Sequence, residues 1–326
     1  MSEQQDHTSG AATAPAHRER VGISISAAEA PALVDVIAEA EAAGVAQLWM
    51  TQNPMSNDAL TVFAAAFGRT NRVRLGTSIV PTYPRHPLAL AQQAATVAAL
   101  GPGRLRLGVG PSHRPMIEGV YGLPMEAPLA HLKEYVGVLR DALWRGQVEH
   151  QGRFFTAHAT FPSTPRIPLL VSALGEGAFQ LAGEVSDGAI SWNCPPGYLI
   201  DVAMPALRAG AQAAQRPTPP LVAHAWVVLS SDAAAVRAAG KKRLAYYAHL
   251  PFYASMFAAA GYPVEADGRL SDALIDSLVV RGDEAAVAAR LDELLGAGLD
   301  ELLLTPIPLS DEADERRRLF GLVGQL

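Results

Sequence analysis

VRLGTSIVPTYPRHPLALAQQAATVAALGPGRLRLGVG, residues 73–110, reads as a strand, a helix and a second strand. VRLGTSIV (73–80) is rich in apolar and β-branched residues and stops at two prolines and a histidine, while LALAQQAATVAAL repeats its apolar positions at helical spacing. GPG then closes the helix and RLRLGVG (104–110) opens the next strand. Two strands joined by a helix of this length lie parallel, because a parallel pair requires a crossover of a dozen residues or more. The unit ends at a polar edge, TSIVPTYPRHP, which asks for a purpose.

The same alternation runs outward in both directions. VGISIS (21–26), AQLWM (46–50), VRLGTSIV (73–80), RLRLGVG (104–110), IPLLVSA (167–173), GAISW (188–192), LVAHAWVVL (221–229) and DELLLTP (300–306) are eight candidate strands. Helical patterns such as PALVDVIAEAEAAG and DALTVFAAAFGRT lie between them. Eight strands alternating with helices predict an α/β protein of the closed (β/α)8 TIM-barrel type. An open doubly wound sheet is the competing architecture, but no switch point carries a dinucleotide fingerprint. Two connections exceed a simple crossover, residues 111–166 with GQVEHQGRFF and residues 230–299 with AYYAHLPFYASMFAAAGYP. They place insertions after strands 4 and 7, on the face where barrel enzymes build their sites.

Composition bounds the partners. Of 326 residues 49% are apolar and 18% charged, with a net charge of −6 and no basic run, which fits a compact protein and gives no footprint for nucleic acid or anionic lipid. No uncharged apolar run reaches the ~20 residues that span a bilayer. Small molecules are the expected partners. The single cysteine, Cys194, excludes an intrachain disulfide and a thiol cluster for zinc, and fits a cytoplasmic protein. Residues 1–20 are polar, lack the apolar centre of a secretion signal and read as a disordered tail; residues 21–326 read as one barrel domain.

Candidate chemistry gathers at strand ends. Strand 4 ends LGVGPSHRP, where His113 and Arg114 stand in place of the glycines that a GxGxxG loop or a GxSxG elbow would require. Gly108 and Gly110 allow a ring or phosphate to approach the backbone, or else allow tight packing. His113, just past the strand end, can hydrogen-bond a ligand or shuttle a proton, although a lone histidine is commonly a solvated loop residue. In SALGEGAFQ, Gly175 and Gly177 flank a helix start near Glu176, where free amides would form an anion nest; an ordinary turn with positive φ is the alternative. Strand 2 ends Trp49, Met50, Thr51, Gln52, Asn53: Gln52 can donate and accept, and Trp49 suits the core better than a stacking platform. Cys194 in WNCPP reads as inert filler, and the nine histidines include no HExxH or close ligand pair, so no metal site is expected.

Together AEAAGVAQLWMTQ, VRLGTSIVPTYPRHPLALAQQAATVAALGPGRLRLGVGPSH, EYVGVLRDALWRG, PRIPLLVSALGEGAFQLAGEVSDGAIS and VVRGDEAAVAARLDELLGAGLDELLLTP resemble the bacterial luciferase-like superfamily, and most of all its branch of coenzyme F420-dependent oxidoreductases. The resemblance covers nearly the whole chain from Val21. It implies an insertion-bearing barrel that holds a flavin or an 8-hydroxy-5-deazaflavin at the strand C-termini. Strand 3 would back the ring, with a non-proline cis peptide at Ser78–Ile79.

By the same resemblance the coenzyme-binding residues are Thr51, Thr77, Ser78, Ile79, Gly110, Ser112, Leu174, Gly175, Glu176, Gly177 and Ala178, and the catalytic candidates are His113 and Gln52. Sugar-phosphate dehydrogenases of that branch carry Asp-His where this chain has Thr51-Gln52, and Glu in the loop where it has His113. That departure argues against alcohol oxidation by their mechanism and leaves open reduction of a C=C or C=N bond, with His113 as proton donor. The rivals on the same fold are an FMN-dependent monooxygenase fed by a separate coenzyme reductase, and a barrel that binds flavin without turnover. Arg85, Arg114, Lys241 and Lys242 are available for the oligoglutamate tail of the deazaflavin, with plain solvated charge as the alternative. A homodimer is expected by resemblance.

Overall fold

The computed structural model describes residues 17–326. Its strands are β1 (Val21–Ser24), β2 (Gln47–Met50), β3 (Arg74–Thr77), β4 (Val80–Pro81), β5 (Leu105–Gly110), β6 (Gln147–Gln151), β7 (Thr156–Thr160), β8 (Leu169–Ser172), β9 (Gly188–Ile190), β10 (Leu221–Val228), β11 (Val279–Arg281) and β12 (Glu301–Pro306). Eight of them close a parallel ring in the order β1-β2-β3-β5-β8-β9-β10-β12, and β12 returns to β1. These are the eight predicted strands, trimmed at their ends. β4 continues the line of β3 after a break at Ser78–Ile79 and pairs with the end of β5. The Ser78–Ile79 peptide is cis.

Helices alternate with the strands, and several begin where a side chain can receive their free amides. Asp58, Asp232, Asp283 and Asp311 each cap a helix, as does Ser271. The apolar faces of these helices and the outer faces of the strands form the main core. A second, smaller cluster fills the cylinder: Trp49, Leu170, Ile190, Val222 and Leu303, contributed by β2, β8, β9, β10 and β12. The indole of Trp49 is fully buried because β1 and β3 present glycine on either side. A Cβ on Gly22 would lie 2.5 Å from Trp49 Nε1, and one on Gly76 would collide with the far edge of the same ring. Trp49 is therefore core, as its place in the sequence suggests. Below it Arg106 stacks at 4.9 Å and pairs with Glu301 at 2.6 Å, closing the base.

The first long connection has two parts. Residues 111–127 rise from the end of β5, whereas the β6–β7 hairpin follows the helix Pro128–Arg140 and so leaves from the opposite end of the barrel. It runs back along that helix until its turn meets Glu134, whose carboxylate accepts from the amides of Arg153, Phe154 and Phe155. The second connection adds the helices Ala233–Ala248, Pro251–Ala259 and Asp272–Leu278, then β11. β11 pairs with Trp226, Val227 and Val228 of β10, whereas β9 reaches only Leu221 and Val222 on that same edge. The seventh barrel strand thus changes neighbours along its length, and the insertion enters the wall near the mouth.

Residues 17–20 were expected within a disordered tail. They form instead a helical turn, His17–Arg20, held where Arg20 donates to the carbonyls of Leu299 and Asp300 at 2.7 and 2.8 Å. The rest of that expectation, residues 1–16, lies outside the described residues. Among the described residues no helix is long and apolar enough to cross a membrane, and no group of three or more His, Cys, Asp or Glu could hold a metal ion.

Candidate active site

The C-terminal ends of β2, β3 and β5 and the start of the helix Glu176–Val185 meet at the barrel mouth. Gln52 follows β2 by two residues and is held there by Asp58. Its Nε2 donates to Asp58 Oδ2 at 2.8 Å, and Arg85 Nη2 donates to the same oxygen at 2.9 Å. Burial pushes the Asp58 carboxyl upward, but Arg85 and two bonds from Thr61 outweigh it and leave the pKa below the ordinary range. An ionised carboxylate only accepts, so the Gln52 amide has one possible orientation: NH2 toward Asp58 and Oε1 away from it. That Oε1 is buried and has no protein partner, and the same is true of Ser78 Oγ at the strand break. Buried polar atoms are normally hydrogen-bonded, so two such oxygens at the ends of neighbouring strands mark this part of the mouth for a polar partner.

Gly175 and Gly177 form the second part. Gly175 has φ −95°, so the reading of an ordinary turn needing positive φ does not apply. No side chain caps this helix, and a Cβ on Gly175 would meet nothing within 4 Å. The helix start is bare and open, with Glu176 exposed and Leu174 and Ala178 half-buried beside it. Free amides and the helix dipole make such an end receptive to an anion.

The predicted residues do not all face this mouth. Thr77 is withdrawn from it: fully buried, its hydroxyl donates to the Gly108 carbonyl at 2.8 Å and accepts from the Gly108 amide at 2.9 Å. It clamps β3 to β5 and has no side-chain atom left to contact a coenzyme. Gly108 is explained by the same clamp, since a Cβ would strike the Thr77 carbonyl oxygen. At Gly110 a Cβ would strike Ser172 Oγ, with Ile79 Cγ1 at 3.2 Å. Close strand packing accounts for both glycines, rather than room for a ligand. Thr51, Ile79 and Ser112 are half-buried near the mouth, and Ser112 takes the left-handed conformation with φ 63°. Of the four cations considered for a polyanionic tail, Arg85 pairs with Asp58, Arg114 with Glu118 and Lys241 with Asp272.

On the opposite side of the mouth only His113 was legible as a site residue. His113 is ringed by Tyr253, Tyr247 and Tyr246, at centroid distances of 5.6, 6.2 and 6.3 Å. Burial lowers its pKa, so near neutral pH it is an uncharged imidazole. Trp192, after β9, donates from Nε1 to the Tyr247 hydroxyl at 2.9 Å and stacks on His224 at 3.7 Å. His224 is buried beside Thr305 Oγ1 at 3.0 Å, and burial drives its pKa down to about 3. It is a neutral structural imidazole. Cys194 is buried with its thiol pushed up to about 12, which fits the expectation of inert filler. Repeated tyrosines in AYYAHLPFY were the available signal for this wall.

A cavity of about 500 Å³ exists elsewhere, lined by Glu19, Arg74, Arg106, Arg166, Asp187 and Glu301. It sits at the N-terminal ends of the strands, where barrels keep stability rather than chemistry. Its charges are largely paired: Arg74 with Glu19, Arg106 with Glu301, and Asp187 with Arg216.

Ring closure, the broken third strand and two long insertions define a (β/α)8 barrel of the luciferase-like type. Residues 9–301 match the model of the luciferase-like monooxygenase family, and the chain belongs to that family. It is 25% identical over 303 residues to a 5,10-methylenetetrahydromethanopterin reductase of Methanolobus tindarius, covering 86% of this chain and 92% of the relative. It is 29% identical over 294 residues to an F420-dependent glucose-6-phosphate dehydrogenase of Kineococcus radiotolerans, covering 83% and 86%. Among solved structures, an F420-dependent secondary alcohol dehydrogenase in complex with an F420–acetone adduct superposes with a TM-score of 0.77 at 20% identity, covering 93% of this chain and 97% of that one.

Proposed function

We propose that this protein is a coenzyme F420-dependent oxidoreductase that passes a hydride between the deazaflavin and a small organic substrate. The observation that carries the reading is the pair of buried oxygens without protein partners, Gln52 Oε1 after β2 and Ser78 Oγ at the break of the third strand. Relatives named for F420 across most of the chain length support it. Gln52, Ser78 and Ile79 would face the ring, with Thr51 and Ser112 at its edge. Leu174, Gly175, Glu176, Gly177 and Ala178 would flank the side chain, whose phosphate suits the bare amides of the helix start. The bound coenzyme would supply the two-electron hydride chemistry.

The protein's own contribution is orientation and proton handling. Asp58 fixes Gln52 as an acceptor toward the mouth. His113, neutral, offers an N–H to hold a substrate atom and a lone pair to take up a proton. If turnover requires that neutral imidazole, its pH profile should be flat through neutrality and fall only on the acidic side, below the ordinary histidine pKa of about 6.5. A rise in rate on acidification through that range would give His113 the opposite role.

The test is titration of the purified protein with F420 and with FMN in separate experiments, followed by coenzyme fluorescence or absorbance. Saturable binding of F420 with at least tenfold preference is the expected result. Preference for FMN would move the protein to the monooxygenases that name its family. His113→Ala and Gln52→Ala should keep F420 affinity within a few-fold. Turnover of the best substrate from a screen of C=C and C=N compounds should drop by about 10² or more, the usual scale for a lost proton-transfer group. Unchanged turnover in both would remove their roles.

A further inference from the structure

We infer that the wall facing the coenzyme side of the mouth recognises a flat, uncharged aromatic substrate bearing a hydrogen-bond acceptor such as a carbonyl, and that Tyr247 donates that hydrogen bond. The inference rests on the proposed function and assigns its substrate class.

Three independent features support it. The first is composition: His113, Trp192, Tyr246 and Tyr247 are all partly or largely accessible, with Tyr246 48% exposed, and they back onto the buried ring of Tyr253. Edges and faces meet at several angles, with Tyr247 and Tyr253 tilted by 60° and His113 and Tyr247 nearly perpendicular at 84°. Such a surface accepts another flat ring by edge or face contact.

The second is the hydrogen-bond state of Tyr247. Its oxygen accepts from Trp192 Nε1, and an indole N–H only donates, so the phenolic proton takes no part in that bond. Asn193 is fully buried with φ 56°, and its Nδ2 has no partner in hydrogen-bonding geometry. Burial raises the Tyr247 pKa above that of an ordinary phenol, so the hydroxyl keeps its proton. The Tyr247 oxygen thus holds one indole donor, and its own hydrogen is left to point at something else. In the reduction of a substrate C=O bond the hydride adds to carbon, the C–O π pair moves to oxygen, and the Tyr247 proton passes to that oxygen. The phenolate left behind would keep the bond from Trp192 Nε1 until water returns the proton.

The third is charge. Two of the neighbouring cations are paired, Arg85 with Asp58 and Arg114 with Glu118, while Arg243 lies over the face of Trp226 at 5.3 Å, with no ion pair to a carboxylate among the described residues. A carboxylate or phosphate on the substrate would have to shed its water against the buried ring of Tyr253, which an uncharged group does at less cost.

Matched naphthalenes test this by calorimetry or tryptophan quenching, without turnover. 2-Acetylnaphthalene carries a carbonyl, 2-ethylnaphthalene lacks it, and 2-naphthoate replaces it with a charge. The protein should bind 2-acetylnaphthalene saturably and at least tenfold more tightly than 2-naphthoate. Tyr247→Phe should weaken 2-acetylnaphthalene five- to twentyfold and leave 2-ethylnaphthalene within twofold, a selectivity that a merely structural role would not produce. Equal or tighter binding of 2-naphthoate, equal loss for both neutral ligands, or no saturable binding of any would overturn the inference. F420 titration of Tyr247→Phe separates the two readings. Wild-type coenzyme affinity with unaltered ligand selectivity sinks only the role of Tyr247, whereas failure of the wild-type protein to bind F420 sinks the function beneath it.

Discussion

Gly108→Ala should cost about 3 kcal/mol of stability, the upper end for forcing one group into a packed core. The added Cβ would land on the carbonyl oxygen of Thr77, and that atom is main chain at the last residue of β3. Side chains can turn aside; this oxygen can retreat only if β3 leaves β5. Retreat is resisted by the two bonds between the Thr77 hydroxyl and the Gly108 backbone. The same displacement would carry Ser78 with it, so F420 affinity should fall together with stability. Gly137→Ala is the matched control: it sits within the helix Pro128–Arg140 with nothing within 4 Å of its Cβ position. That substitution should be neutral or stabilise by up to about 1 kcal/mol through helix propensity. Denaturant melts of the two variants decide the matter. Equal stabilities would mean that the strand contact is looser than the geometry describes.

Asp58→Ala should be nearly as damaging, and for reasons that span fold and chemistry. The carboxylate caps the helix Ala59–Phe67 by accepting from the Thr61 amide at 2.9 Å, a service worth about 1 kcal/mol. It also neutralises Arg85, whose side chain is 21% exposed, and a half-buried charge left alone adds a cost of similar or larger size, for a total of roughly 2–3 kcal/mol. Gln52 would lose the partner that dictates which end of its amide faces the mouth. Asp58→Asn separates these effects. Asparagine caps a helix about as well, so stability should fall by no more than about 1–2 kcal/mol, mostly from Arg85. The amide can meet either end of Gln52, so the acceptor at the mouth ceases to be fixed; F420 affinity should stay within a few-fold, as for Gln52→Ala, while turnover should drop about tenfold, the worth of one hydrogen bond. Retention of full turnover in Asp58→Asn would show that Gln52 needs no such hold.

The barrel was legible because its evidence is periodic. Eight apolar runs separated by helical patterns leave few topologies, and residues 73–110 alone demand a parallel pair. Ser78–Ile79 was legible only through family resemblance, since no local pattern distinguishes that peptide from its neighbours. What could not be read is what depends on side-chain direction. Thr77 and Ser78 are adjacent in sequence, yet the first is locked into the strand pairing while the second leaves its hydroxyl unpaired. Gly108 and Gly175 look alike in a sequence, but one is pressed by main chain and the other stands in open space. The tyrosine wall was missed because Tyr247 and Trp192 are 55 residues apart and meet only after the second insertion folds over the mouth. The N-terminal boundary erred because the anchor of Arg20 is a pair of carbonyls at the far end of the chain.

β10 exchanges β9 for β11 between Val222 and Trp226. The lower hoop is therefore sewn by barrel strands alone, while the upper hoop borrows one stitch from the insertion. Slackening that stitch alters the girth of the opening and leaves the base tight, so breathing at the rim and rigidity at the floor are separable properties of one cylinder.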